Sequence, residues 1–217
     1  MPLNSNEKIS ETPGRRPYRR SNFSTAQKLA NEQYARDVSA EYSKGYSFDG
    51  MDLSGTNLRG LRLTACAGSQ PAEGTSCSSF LQADMSGSLL ALVDLTGANL
   101  VDANLSNALM GSATLSHAIA SGVNMHCAGA SGSNFVEGVF TSGDFTETNL
   151  EFATFANADL SNADFTGADI SNASFDGALI ENARFEEAWY LEGEPPQGLP
   201  QTIIDKLATR ETRGNSC

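Results

Sequence analysis

The chain has 217 residues, with 14 basic side chains against 26 acidic ones and a formal net charge of −12. That length leaves room for one or two domains with a sizeable core, and an apolar content of 40% excludes bulk disorder. The acidity argues against a body that binds nucleic-acid phosphate directly, and no apolar run approaches the roughly 18 residues of a membrane span.

The charge is segmented. Residues 1–44 carry eight bases and five acids, residues 45–200 carry three arginines and nineteen acids, and residues 201–217 carry three bases and two acids. Residues 1–22, with Arg15, Arg16, Arg19 and Arg20 beside Pro13 and Pro17, read as a disordered basic arm. Such an arm is either a solvated tail or a contact for an acidic partner. The arginine pairs do not make an export signal, because Lys28, Glu32, Arg36 and Asp37 break up any apolar stretch after them. A cytoplasmic, reducing location is therefore expected.

Ser24-Thr25-Ala26-Gln27 has capping-box spacing. Ala26, Leu29, Ala30, Tyr34, Val38 and Tyr42 come after it at helical intervals, which predicts a helix over residues 25–42. It would form an N-terminal cap spanning 23–45, covering the open end of the body of the chain.

That body is a repeat of period five. From Phe80 to Tyr190 every fifth residue belongs to one frame, 23 positions in all, and 21 of them are large and apolar. The position two before each is always small, and it is Ala in 15 cases. The shorter run Phe48, Leu53, Leu58 and Leu63 has the same pattern in another frame. A period of five matches neither the 3.6 of a helix nor the 2.0 of a strand. It fits a coil that turns a corner every five residues, with the small and the large residue inward and three positions outward. Four units make a square turn of about twenty residues, and turns stack through backbone hydrogen bonds. Columns then repeat every twenty residues: Met85, Leu105, Met125, Phe145, Phe165 and Phe185 form one, and Phe135, Phe155 and Phe175 belong to the opposite one. Ala120 and Ala130 leave the middle underfilled and mark a candidate for irregular or softer packing.

Ala98-Asn99-Leu100, Ala103-Asn104-Leu105-Ser106-Asn107 and Ala163-Asp164-Phe165-Thr166-Gly167 carry a recognisable consensus: small, Asp or Asn, Leu or Phe, Ser or Thr, then Gly or another residue. On these motifs residues 46–190 resemble the pentapeptide-repeat family. The resemblance implies an all-β solenoid, a right-handed quadrilateral β-helix, here expected over 46–191 with an N-terminal helical cap and a short C-terminal helix. It is specific for fold and nearly silent on function.

Between Leu63 and Phe80 the frame shifts by two, so residues 64–79 are an inserted loop carrying Gly68, Pro71 and Gly74. Cys66 and Cys77 bracket it and are a candidate disulfide, although a reducing compartment argues against one. At the other end Pro195-Pro196 stops the repeat within a tail spanning 192–217. There Ile203, Ile204, Leu207 and Ala208 predict a short helix over 201–210. That segment either folds on its own chain or pairs two chains, as it does in some members of the family, so a monomer and a homodimer are both open.

Catalytic constellations are not found. His117 and His126 both fall on outward positions, and a His126–Cys127 nucleophile would need a strained geometry. Metal binding by His126, Cys127 and a neighbouring acid is a weak reading. Glu186-Glu187 sit on an open face rather than in a cleft. A filled core offers no ligand pocket, and no phosphate-binding loop is present. No metal, no cofactor and no enzymatic activity are expected.

Surface charge is the remaining signal. Residues 80–190 hold fourteen acids and one base, and ten of the acids lie after residue 140. By column, Asp84, Asp144, Glu147, Asp164, Glu186 and Glu187 share one face. Over a rod of about 28 Å the charge density approaches that of duplex DNA, about one charge per 1.7 Å. The expected function is a non-enzymatic scaffold or protein–protein interaction module, with Asp144, Glu147, Asp164, Glu186 and Glu187 as the candidate surface for a partner with a basic face. The alternative comes from the resemblance: quinolone-resistance members of the family imitate DNA and bind type II topoisomerases, so the chain would be a DNA mimic acting on gyrase or another DNA-binding protein. A concentrated stripe and a single insertion distant from it distinguish this sequence from a uniformly acidic rod. A bland reading, in which the acids only keep a repetitive surface soluble, stands beside both. A third reading is a partner of a photosynthetic or envelope complex in an oxidising compartment, supported by a Cys66–Cys77 bond.

Overall fold

The computed structural model describes residues 25–39, 47–63, 78–212 and 217, with the side chains of 25–36 in the first stretch. The basic arm, Tyr42 and the cysteine pair Cys66 and Cys77 lie outside the described residues.

The repeat region is a parallel β-helix. Its outward residues two before each corner are bridged to equivalents twenty residues on, from Ser79↔Asn99 through Asp84↔Asn104, Leu89↔Leu109 and Asp94↔Thr114 to Asp169↔Trp189. Four bridges fall in every twenty residues, so each coil is hydrogen-bonded to the next at four places. The first coil, residues 47–63, keeps this order at a spacing of 32: Ser47↔Ser79, Asp52↔Asp84, Asn57↔Leu89 and Arg62↔Asp94. The extra twelve residues fall between Leu63 and Ser78 in the sequence. Stacking is restored across them, with Phe48 on Phe80 at 4.6 Å.

Each corner is a β-turn closed by a bond such as Ala83 N–H to Phe80 O, 2.9 Å. Its third residue takes a left-handed conformation, with φ between 54° and 62° at Gln82, Leu92, Asp102, Asn107 and Asn162. Asparagine and glycine tolerate that region; bulky side chains do not favour it. The small residue after the turn leaves space for the rings. A Cβ on Gly138 would collide with Phe140 Cε2.

The inward positions form the core, fully buried from Phe48 to Phe175. The phenylalanine columns stack as the twenty-residue spacing requires. Phe135, Phe155 and Phe175 are 4.5 and 5.2 Å apart, and Phe145, Phe165 and Phe185 are 4.9 and 5.0 Å apart. The two ladders meet edge to face at 5.7–6.1 Å. The coil containing Ala120 and Ala130 is not irregular: Ile119↔Val139 and Gly129↔Asn149 keep the register, and both alanines are fully buried.

Helix α1 (Thr25–Ser39) covers the first coil, and of the face that its apolar spacing suggested Tyr34 packs on Phe48, ring centroids 5.4 Å apart, while Leu29 does not dock. Leu29 is 62% exposed, while Asn31 and Ala35 are buried. The reason is the chemistry of what is covered, an edge of unpaired backbone groups. Asn31 Nδ2 donates to Asp52 O at 2.8 Å, Asn57 N–H donates to Glu32 Oε2 at 3.2 Å, and Arg36 donates to Asn57 O. Polar side chains therefore take the place of a missing coil. Lys28 adds a bond to Ser54 Oγ at 2.6 Å.

At the other end, strand β1 (Trp189–Leu191) continues the helix. The expected helix over 201–210 is shorter. Helix α2 spans Gln201–Ile204, and strand β2 (Ala208–Arg210) returns to pair in parallel with β1, Trp189 opposite Ala208. The β1 edge carries backbone groups that a longer helix would leave unpaired, and β2 pairs with them. Ile203, Ile204 and Leu207 pack half-buried on the core end, and the Arg210 guanidinium lies 4.2 Å over the Trp189 ring. Gly198 is required here: at φ +78°, a Cβ would collide with the Asp176 backbone nitrogen. Further on, Cys217 is disulfide-bonded to Cys127, ninety residues earlier.

Candidate interaction surface

The five acids proposed from sequence lie on one side of the helix but are not equivalent. Asp144 and Asp164 occupy the bridged column, paired with each other through the backbone, and Arg184 comes next in the same column. Both aspartates are half-buried and hold their corners. Asp144 Oδ1 accepts from Thr146 N–H at 2.9 Å and from Thr146 Oγ1 at 2.6 Å. Asp164 Oδ1 does the same with Thr166 at 2.9 and 2.5 Å. The motif recurs at Asp52/Ser54, Asp94/Thr96, Asp159/Ser161 and Asp169/Ser171, so it belongs to the corner rather than to one surface. Asp followed two residues later by Ser or Thr was the sequence signal for this role.

Each aspartate keeps its second oxygen free of the turn. Asp164 Oδ2 lies 3.0 Å from Arg184 Nη1, and Arg184 Nε lies 3.4 Å from Glu186 Oε2. Glu147, Glu186 and Glu187 are exposed. Glu147 and Glu187 share a corner column with Gly167 between them, and the Glu147 side chain lies over that glycine, whose Cβ would meet Glu147 Cγ at 3.3 Å. Two coils separate the two carboxylates, about 10 Å at the strand spacing. The surface is thus three exposed glutamates and two aspartates held at their corners, interrupted by one arginine.

Two other acids of the C-terminal half are removed from the surface. Asp169 is 2% exposed and Glu151 5%. Asp169 accepts from Ser171 Oγ, which in turn accepts from Leu191 N–H at 2.8 Å, so this carboxylate helps to anchor β1. His117, outward as expected, faces Glu137 at 3.4 Å. Among the described residues no helix is long and apolar enough to cross a membrane.

Comparison with known proteins supports the repeat. A family model described as pentapeptide repeats matches in eight copies over residues 76–111, 98–135 and 144–182. The chain is similar to the solved structure of a trypsin-treated variant of QnrB1, a plasmid-mediated fluoroquinolone resistance protein. The two are 19% identical over 76% of this chain and 78% of that one, with a TM-score of 0.62, a likeness of fold. It is also similar to a pentapeptide repeat protein from Nostoc PCC 7120, at 28% identity over 54% of this chain and 84% of the other, with a TM-score of 0.27. No curated protein matches the chain.

Proposed function

The chain belongs to the pentapeptide-repeat family, and from that premise we propose that it is a non-enzymatic interaction module, a right-handed, four-sided β-helix that docks a partner protein bearing a basic surface. The observation that carries this reading is the outward set Glu147, Glu186 and Glu187 beside the second carboxylate oxygens of Asp144 and Asp164, the latter shared with Arg184, on a rod whose interior is filled by apolar side chains. Four bridges per twenty residues support the four-sided cross-section. A rigid acidic face loses little conformational entropy on docking and attracts a cationic surface at long range.

Within this reading, one partner class is favoured by a specific observation. The fold likeness is to a fluoroquinolone resistance protein. Fluoroquinolones act on type II topoisomerases, whose DNA-binding surfaces must be basic. We infer that the acidic face stands in for duplex phosphates and modulates such an enzyme, which presupposes the expected cytoplasmic location. A solution monomer goes with it, because residues 201–210 are occupied by their own chain.

The experiment is a supercoiling assay with purified gyrase and relaxed plasmid across a range of this protein. Inhibition that excess DNA relieves, or protection from a fluoroquinolone, is expected. Unchanged activity in both arms at about tenfold excess over the enzyme removes the topoisomerase assignment.

A further inference from the structure

His126, Cys127 and Cys217 come together although ninety residues separate the two cysteines. Their ligand atoms, one imidazole nitrogen and two sulfurs, all lie within 4.8 Å of one another. His126 Nε2 is 3.1 Å from Cys127 Sγ, and Glu147 Oε2 is 3.7 Å from Cys217 Sγ. The repeat places these groups together: His126 and Cys127 are adjacent outward residues of one corner, and Glu147 lies one coil beyond Cys127.

The neighbouring coil fixes the imidazole. Thr146 Oγ1 is 2.6 Å from the Asp144 carboxylate and 2.8 Å from His126 Nδ1. A hydroxyl has one proton, and the carboxylate can only accept it. Nδ1 must therefore carry the imidazole proton and donate to Thr146. Nε2 is the ring nitrogen that faces the sulfurs, 3.1 Å from Cys127 Sγ. An imidazole held through its far nitrogen by a hydroxyl and a carboxylate is the arrangement that orients metal-bound histidines.

We propose that His126 Nε2, Cys127 Sγ and Cys217 Sγ, with Glu147 as an available fourth ligand, form a redox-gated site for a thiophilic divalent cation, zinc by preference. Two thiolates, an imidazole and a carboxylate make a tetrahedral zinc donor set. The bonded cysteines of the present structure cannot donate as thiolates, so the disulfide and the metal are alternatives. A dithiol reductant supplies the two electrons. One of its thiolates attacks a sulfur of the Cys127–Cys217 bond, its second thiol closes a disulfide within the reductant, and the two cysteines are released as thiols. Zinc then binds them and displaces two protons to solvent. The site does not depend on the function proposed above, although Glu147 belongs to both.

Cobalt(II) serves as the spectroscopic probe, titrated into the full chain reduced with a phosphine and, separately, into the oxidised chain. The reduced chain is expected to bind one cobalt with sulfur-to-metal charge-transfer absorption that zinc abolishes, and the oxidised chain to show none. Cys217→Ser should remove much of the band. His126→Ala and Thr146→Val, each checked for an unchanged circular dichroism spectrum, should weaken binding by about tenfold or more, the Thr146 change by releasing the imidazole. Thr166→Val, which loses the same corner bond to Asp164, is the control and should leave binding unchanged. Three results would overturn the proposal: no charge-transfer band in the reduced chain, a band that survives Cys127→Ser with Cys217→Ser and so belongs to Cys66 and Cys77, or affinity indifferent to His126→Ala.

Discussion

Arg184 Nη1 lies 3.0 Å from Asp164 Oδ2, one coil apart in the same column, and its Nε reaches Glu186. The one base between residues 80 and 190 is thus inside the acidic face rather than apart from it. Arg184 is exposed in both pairs, and Glu186 too, so they contribute little to stability, about 1 kcal/mol or less. Arg184→Gln should leave the thermal midpoint nearly unchanged and strengthen binding to a basic partner by about threefold at low salt. Weaker binding would mean that the arginine itself is read by the partner.

The glutamates and aspartates of that face should separate experimentally. Replacing Glu147, Glu186 and Glu187 together by Gln is expected to leave urea unfolding within about 0.5 kcal/mol of the parent. Asp164→Ala should cost about 1–2 kcal/mol, because Thr166 N–H and its hydroxyl lose their acceptor. Equal destabilisation by the two sets would contradict the division into docking and corner-holding carboxylates.

Phe155 is stacked on Phe135 and Phe175 and touches the second ladder through Phe145 and Phe165. Phe155→Ala should destabilise by about 3–5 kcal/mol, the range for truncating a buried aromatic. Phe152, only three positions away, is 54% exposed in a left-handed corner at φ 59°. Phe152→Gly should instead stabilise by about 1 kcal/mol. Denaturant melts of the two variants should therefore move in opposite directions.

The fold was readable because one spacing controls it. The five-residue frame names the inward phenylalanines and alanines from Phe80 to Phe175, and the phenylalanine ladders come from counting in twenties, while the burial of Trp189 at a bridged, nominally outward position escaped it. The ends were less readable. For α1, the apolar stripe named Tyr34, which packs on Phe48, but also Leu29, which does not dock; exposed backbone selects polar side chains such as Asn31 and Glu32, which carry no periodic signal. For the tail, Ile203 and Leu207 suggested a longer helix, while the pairing of Ala208 with Trp189 depends on an edge that exists only once the coils are stacked. The five acids of the sequence reading do fall on one side of the helix. Their division was not readable, because the turn role of Asp144 appears only when Thr146 is seen beside it. The meeting of Cys127 with Cys217 had no local signal at all.

Gly198 controls whether the C-terminal segment closes the end. Gly198→Ala puts a methyl group against the Asp176 backbone and should loosen residues 199–210, exposing the β1 edge. Light scattering after size exclusion should show a monomer for the parent and concentration-dependent association for the variant. A parent that is already dimeric would contradict a tail occupied by its own chain.

Competition for purified gyrase tests most directly whether the acidic face replaces DNA on a basic partner. A fluorescent duplex is bound to the enzyme and displaced by this protein at several salt concentrations. Displacement should weaken as salt rises, and the Glu147, Glu186 and Glu187 triple Gln variant should displace at least about tenfold less well. No displacement at low salt, or displacement by the triple variant equal to that of the parent, would contradict DNA mimicry by this face.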